Sequence, residues 1–371
     1  DMGLQGWVSG DTHTHFLNDH SALLEAQAED LNVINVLATK WGELITNAHE
    51  VTGEPSLVST PENVVFFNEE TRHDFLGHTI LHPIKELIYP LSWGEFGAGV
   101  RGGYDYPPMA HQADKAHAQG GLVTWAHFGN RMEAPIDVAL GKVDSLDIFT
   151  WGDAFRATMK AVDGEMIPGP VNYWYKFLNT GSRLPVTAGT DKMVNTQVSG
   201  SVRTYAKMSD TTFTYDGWVD AIRNGRTFVT TGPMISLKAN GLDIGSILKV
   251  KSGETVQIEA KVEAPYARYP VERFEIIQNG KVIAFQTNDD KSKELTISLA
   301  VTLDESSWFA ARAYGSKILP YNTWKAAGAW ADGSPVMAHT SPIYVDIPGS
   351  KIWDSEDAKF LAKRCYAVVR W

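Results

Sequence analysis

Through residue 232 the chain alternates short apolar runs with amphipathic stretches, and the alternation reads strand, helix, strand. The apolar start at Trp7-Val8 predicts a first strand, residues 21–31 (SALLEAQAEDL) predict a helix, and residues 33–37 predict the next strand. Further strands are expected over 64–67, 77–82, 122–126, 145–149, 184–190, 202–208 and 226–231. Helices are expected over 108–119, 171–179 and 215–224, each stopped by a glycine, at Gly120, Gly181 and Gly225. The stretch 83–108, rich in Gly, Pro and aromatic residues, is too long for a plain connector and reads as a lid or site loop. Such regular alternation favours a β/α barrel over an open sheet.

Beyond Pro233 the period changes. Segments 256–262, 273–278, 282–286, 295–301 and 308–313 alternate like half-buried strands, and Asn279-Gly280 marks a hairpin turn. The spacing predicts an all-β immunoglobulin-like sandwich, with 342–345 as a last strand and a short terminal helix over 355–363. The expected organisation is a barrel over 1–232, a β-sandwich over 233–348, and a C-terminal helix or tail over 349–371 packing on the barrel.

The 371 residues include 43% hydrophobic and 21% charged side chains, ordinary for a globular protein. A net charge of −11 argues against a nucleic-acid polymer as partner, because such affinity comes from clustered Lys and Arg. A small-molecule substrate is the expected partner. No apolar run approaches the roughly 20 residues of a membrane span, so no membrane insertion is expected, and no signal peptide is read. With Cys365 the sole cysteine, an internal disulfide and thiolate metal sites are both excluded. The compartment stays open, with periplasm or secretion favoured over cytoplasm, and so does the oligomeric state.

The candidate chemistry begins at Asp11-Thr12-His13-Thr14-His15. In an extended chain residues i and i+2 share a face, so His13 and His15 can bind one cation together. Asp11 lies on that face as a ligand or as an acceptor for an imidazole N–H. Barrel active sites form at the C-terminal ends of strands. His13, His15, Glu69, Glu70, His78, His127 and Asp191 all fall at or near such ends, and seven metal-competent side chains on one rim predict a metal site.

The ordered set Gly10-Asp11-Thr12-His13-Thr14-His15, a Glu before Gly77-His78, Trp125-Ala126-His127 and Ala188-Gly189-Thr190-Asp191 resembles the polymerase and histidinol phosphatase (PHP) superfamily of metallohydrolases. Ala28-Glu29-Asp30-Leu31, Leu178-Asn179-Thr180-Gly181, Arg183-Leu184-Pro185 and the run from Gly225 to Pro233 resemble its carbaryl-hydrolase-like (CehA/McbA) branch. The resemblance implies a distorted PHP-type (β/α)7 barrel and metal-dependent hydrolysis of phosphoester, ester or carbamate bonds. It implies ligands from His13, His15, one of Glu69 and Glu70, His78, His127 and Asp191. Two departures stand out: Thr39-Lys40-Trp41 where many members carry Asp-His, and Asp191-Lys192-Met193 where many carry Asp-x-His. With those imidazoles missing, one tightly held divalent ion is expected, and a weaker second one is allowed.

Imidazole and carboxylate ligands without thiolate suit Zn²⁺, Mn²⁺ or Fe²⁺. The expected nucleophile is a metal-bound hydroxide. Asp191, or whichever of Glu69 and Glu70 is not a ligand, would move protons, and Lys40 would oppose developing negative charge. Arg72, His82, Tyr104 and Arg131 are candidates for binding substrate, although the few basic residues near the rim lean against a highly charged phosphate. His20, His49, His111 and His117 read as surface or packing groups, and His339 lies outside the expected barrel. Two alternatives stand beside the general hydrolase: a phosphodiesterase or phosphatase specifically, and a non-catalytic ligand- or carbohydrate-binding protein with a degenerate metal site.

Overall fold

The computed structural model describes residues 2–94, 106–129, 131–150, 152–209, 212–264, 267–320 and 333–370. Its organising element is a large mixed sheet that curls back on itself. Trp7–Thr14 pairs antiparallel with Arg203–Lys207 on one side and parallel with Val33–Trp41 on the other. The sheet continues through Val64–His73 (parallel), Gly77–His82 and Leu122–Trp125 (both antiparallel to their predecessors), then Ser145–Phe149 and Val186–Ala188 (both parallel). Just past that last strand the chain returns to the first. Thr14 and Lys192 form a parallel bridge, and the His15 N–H donates to the Lys192 carbonyl at 2.9 Å.

This is not the expected (β/α)7 PHP-type barrel followed by a separate immunoglobulin-like sandwich. A β/α barrel needs parallel strands, each followed by a helix. Here Val64–His73 and Gly77–His82 form a hairpin, Arg203–Lys207 and Thr227–Thr230 pair antiparallel, and the described residues include only six α-helices. The strands assigned to the sandwich also extend the same sheet. Thr227–Thr230 pairs with Ser334–Thr340, which pairs with Ser307–Leu319 and, through it, reaches Arg273–Gln278. A four-stranded antiparallel sheet of Met234–Ala239, Leu242–Asp243, Glu254–Glu263 and Glu294–Leu303 covers that extension, sharing a core that includes Ile235, Val256, Ile258, Phe274, Ile276 and Phe309. Apolar periodicity registers only that a strand is buried. A parallel and an antiparallel neighbour demand the same residues, so the alternation did not separate the two.

Local signals fix several element ends. The Asp19–Ala28 helix starts where the Asn18 side chain accepts the Ser21 N–H at 2.9 Å and Ser21 accepts the Asn18 N–H in return, a capping box. The Pro170–Asn179 helix buries Trp174 and Phe177 in the main core with Trp125, Phe149 and Trp308. The terminal helix, Ser355–Val369, docks against it: Lys176 meets Asp357 at 2.6 Å, while buried Arg364 meets Asp163 at 2.9 Å and Glu165 at 2.7 Å. Part of the stretch expected to be a lid lies against the sheet, with Ser92–Trp93 pairing parallel to Arg72 and His73. Residues 95–105 of that stretch lie outside the described residues. None of the helices is long and apolar enough to cross a membrane, among the described residues.

Candidate metal centre

Five segments of the curled sheet deliver six side chains to one buried place. The Nε2 atoms of His13 and His15 lie 3.0 Å apart at the end of the first strand. Glu70, near the end of Val64–His73, stands between two histidine pairs. Its Oε1 is 3.6 Å from His13 Nε2, 3.1 Å from His78 Nδ1 and 3.4 Å from His127 Nε2, and its Oε2 is 3.3 Å from His15 Nε2. His78 Nδ1 and His127 Nε2 are 3.1 Å apart. Asp191 Oδ1 closes the other side, 3.4 Å from His13 Nε2 and 3.6 Å from His15 Nε2. Three ligand groups overlap in this space: His13, His15 and Glu70; Glu70, His78 and His127; His13, His127 and Asp191. These buried His, Glu and Asp groups could hold a metal ion.

Backbone geometry supports the convergence. His127 has φ 30° and Asp191 φ 50°, left-handed conformations that cost a non-glycine residue roughly 1–3 kcal/mol each and persist where the surroundings over-determine them. Gly189 lets the two ends of the curl approach closely, since a Cβ there would lie 2.5 Å from Thr12 Oγ1 and 2.6 Å from His13 Cβ.

The electrostatics demand a positive charge at the centre. Burial would lower His13, but the Asp191 and Glu70 carboxylates outweigh it and raise His13 well above the usual range. Burial would raise Glu70, yet Arg72 and His13 hold it well below the usual carboxylate range. Asp191, likewise buried, is lowered, chiefly by His13. Burial and then the Arg72 cation keep His78 well below its ordinary value, so its imidazole is neutral and suited to donate a lone pair. Glu70 Oε2, His78 Nε2 and His13 Nδ1 have no hydrogen-bond partner among the described residues. A divalent cation would meet the charge demand that a proton on His13 otherwise meets, so the donor set fits one.

Other residues expected at the site fall elsewhere. Glu69 projects from the opposite face of its strand, where it accepts from Thr71 Oγ1 at 2.8 Å and the Ile88 N–H at 2.7 Å; burial pushes it up to about 8. Asp11 accepts the N–H groups of His13, Thr190 and Gly200 and the Thr190 hydroxyl, at 2.6–3.0 Å. It therefore staples three backbone segments and does not meet an imidazole ring. His82 is buried with its Nε2 2.9 Å from Thr124 Oγ1, away from the cluster. Lys40, half-buried in the Val33–Trp41 strand, makes no hydrogen bond or ion pair with the cluster among the described residues. Tyr104 lies outside the described residues. Arg72 does border the site, its Nε 3.8 Å from Glu70 Oε2.

One residue that the sequence reading passed over is Asp147. Its Oδ2 is 3.8 Å from His13 Nδ1 and its Oδ1 accepts from Thr12 Oγ1 at 3.4 Å. An Asp inside the apolar run Ser145–Phe149 was the available signal: a carboxylate in a fully buried strand needs a partner. The main-chain carbonyl of Leu37 stands 3.4 Å from His15 Nδ1 in the same relation.

No protein-family model matches the chain, and no curated protein matches it. Among solved structures it is similar to PsfC from Pseudomonas syringae PB-5123, at 16% identity and a TM-score of 0.38, over 58% of this chain and 88% of that one.

Proposed function

We propose that this chain is a metal-dependent hydrolase of ester, carbamate or phosphoester bonds. The observation that carries the reading is Glu70, buried between the His13/His15 and His78/His127 pairs with every one of these imidazoles within 3.6 Å of its carboxylate. His13, His15, Glu70 and Asp191 would hold one cation, and His78, His127 and Glu70 a second. Zn²⁺, Mn²⁺ and Fe²⁺ suit this nitrogen and oxygen set. Such a cation, when bound, lowers the pKa of water and polarises a substrate oxygen.

The chain's own groups do the rest. Asp147, 3.8 Å behind His13 Nδ1, would hold the ring with Nε2 towards the centre once a cation draws it in, and the Leu37 carbonyl would do the same for His15. Asp191, whose Oδ1 lies beside His13 and His15, would through its other oxygen accept a proton from an attacking water. The order of motifs resembling the carbaryl-hydrolase-like proteins supports the same chemistry.

Metal analysis of the purified protein tests the proposal, together with chelator-sensitive turnover of bis-p-nitrophenyl phosphate, p-nitrophenyl acetate and an aryl carbamate. His13→Ala is expected to strip bound metal and reduce turnover to background. A wild-type protein that binds no transition metal, and gains no activity from any of the three ions, would sink the hydrolase reading.

A further inference from the structure

Arg72 shares the Glu70 charge at this centre but leaves its own hydrogen-bond donors unused. It lies two residues beyond Glu70 on the same strand, so both side chains project from one face. In the antiparallel register it stands opposite His78, which places its guanidinium on the side of the candidate ligands. The guanidinium carbon sits 3.5 Å from the Trp41 ring centroid, a cation–π stack. A stack engages the flat face and leaves the in-plane N–H groups pointing outward. Two of those nitrogens, Nε and Nη1, are buried without a hydrogen-bond partner among the described residues, and the 3.8 Å to Glu70 exceeds hydrogen-bonding distance.

A second guanidinium repeats the pattern. Arg131 is largely buried, its Nε has no hydrogen-bond partner among the described residues, and it feels the charges of Asp74, Arg72 and Glu70 in that order. Two neighbouring cations kept out of water with open donors are costly unless an anion completes them. The wall beside them is apolar: Trp41 packs on Phe16 with ring centroids 5.8 Å apart, and exposed Leu44 pairs with Trp41 across the adjoining hairpin.

The geometry points to Arg72, stacked on Trp41 and supported by Arg131, as an anion-recognition subsite, so that the substrate of this centre carries an oxyanion group next to an apolar portion. The inference rests on reading the cluster as the substrate-facing centre. It reverses the expectation of a scarcely basic rim, because the two arginines are drawn together by the Glu70 strand and the segment after His127. Once a divalent cation offsets Glu70 and Asp191, Arg72 remains as an uncompensated positive charge, with Arg131 beside it held by Asp74. A neutral ester would leave Arg72 so, whereas a phosphoryl or carboxylate group would pair it.

The test is calorimetric titration of the purified protein with inorganic phosphate and, separately, with benzoate, which tell a phosphoryl from a carboxylate preference. Wild type, Arg72→Met, Arg72→Lys and Arg131→Met are compared, with metal content measured on the same samples. Arg72→Met is expected to weaken binding of the preferred anion about tenfold or more, the loss of one charge-assisted hydrogen bond, with Arg72→Lys intermediate. Metal content should stay at the wild-type level. Should Arg72→Met fail to fold, Arg72→Lys, which changes the volume less, and Arg131→Met at the neighbouring position are each expected to weaken binding by a smaller factor. Equal affinity in wild type and the folded variants, or no binding of either anion to wild type, overturns the subsite. Arginine-dependent anion binding in a protein without metal would instead retain the subsite and sink the hydrolase reading.

Discussion

At the scale of single residues, the centre is built from side chains whose second atoms are also held. His13 is fixed through its backbone N–H by Asp11, and the Asp147 carboxylate stands behind its Nδ1 at 3.8 Å. A carboxylate behind a ligating imidazole sets its tautomer and raises its basicity, and removing one typically costs about 10–100-fold in metal affinity. Asp147→Asn is therefore expected to lower metal affinity by about that factor while the fold, followed by circular dichroism, is retained. Wild-type affinity in a competition titration against a chelator would remove Asp147 from this role. Asp11 has a different task. Four donors surround its carboxylate, and burial still raises its pKa.

At the scale of elements, the position of His13 depends on how closely the first strand approaches the Val186–Ala188 strand end. Gly189 makes that approach feasible, since its missing side chain is replaced by Thr12 and His13. Gly189→Ala is expected to destabilise the protein by about 1–3 kcal/mol through overpacking. It should also reduce metal content by displacing His13. Thermal unfolding and metal analysis check both, and a variant normal in both would show that the two strand ends can separate without consequence. The Glu69–Glu70 pair illustrates the pleat at the same scale. Consecutive residues point to opposite faces, so Glu70 enters the centre and Glu69 faces Thr71 and Ile88.

At the scale of the whole molecule, buried polar links join the first part of the chain to the later strands. His339 Nε2 accepts from the Tyr175 hydroxyl at 2.6 Å, and its Nδ1–H donates to the Thr340 carbonyl at 2.8 Å, which ties the Pro170–Asn179 helix to Ser334–Thr340. Burial lowers His339 to about 3, against roughly 6.5 in an unfolded chain. Between these values the unfolded chain binds a proton that the fold excludes. This contribution to stability is complete above about pH 6.5 and is lost as pH falls towards 3. His82, also lowered to about 3 by burial, adds to the effect. Glu69, raised to about 8 by burial, works in the opposite direction, so the His339 contribution is read as the difference between wild type and a variant lacking it. The wild-type urea midpoint is expected to lose more, or gain less, between pH 7 and pH 5 than that of the variant. His339→Gln serves as that variant and is expected to cost about 1–2 kcal/mol at pH 7. Equal slopes in the two proteins would exclude His339 as a source of the acid sensitivity.

The sequence by itself determined which residue types were available and where strands would end. His13, His15, Glu70, His127 and Asp191 were candidates because each lies at or just past the end of a strand-like run, where a polar side chain leaves the core, whereas His78 opens its strand and reaches the centre because Gly77–His82 runs antiparallel to Val64–His73. Strand identity was legible too, since the pattern 122–126 or 145–149 has one reading in a buried sheet. Only the tertiary structure decided how those strands pair, which is why the regular alternation suggested a β/α barrel and the chain forms a curled mixed sheet that runs on into its later strands. It also decided between Glu69 and Glu70, found Asp147 behind His13, and brought Arg72 onto Trp41. The physical reason is common to all of these. Burial and period are properties of one segment, readable along the chain, whereas strand direction, facing and charge pairing arise between segments distant in sequence.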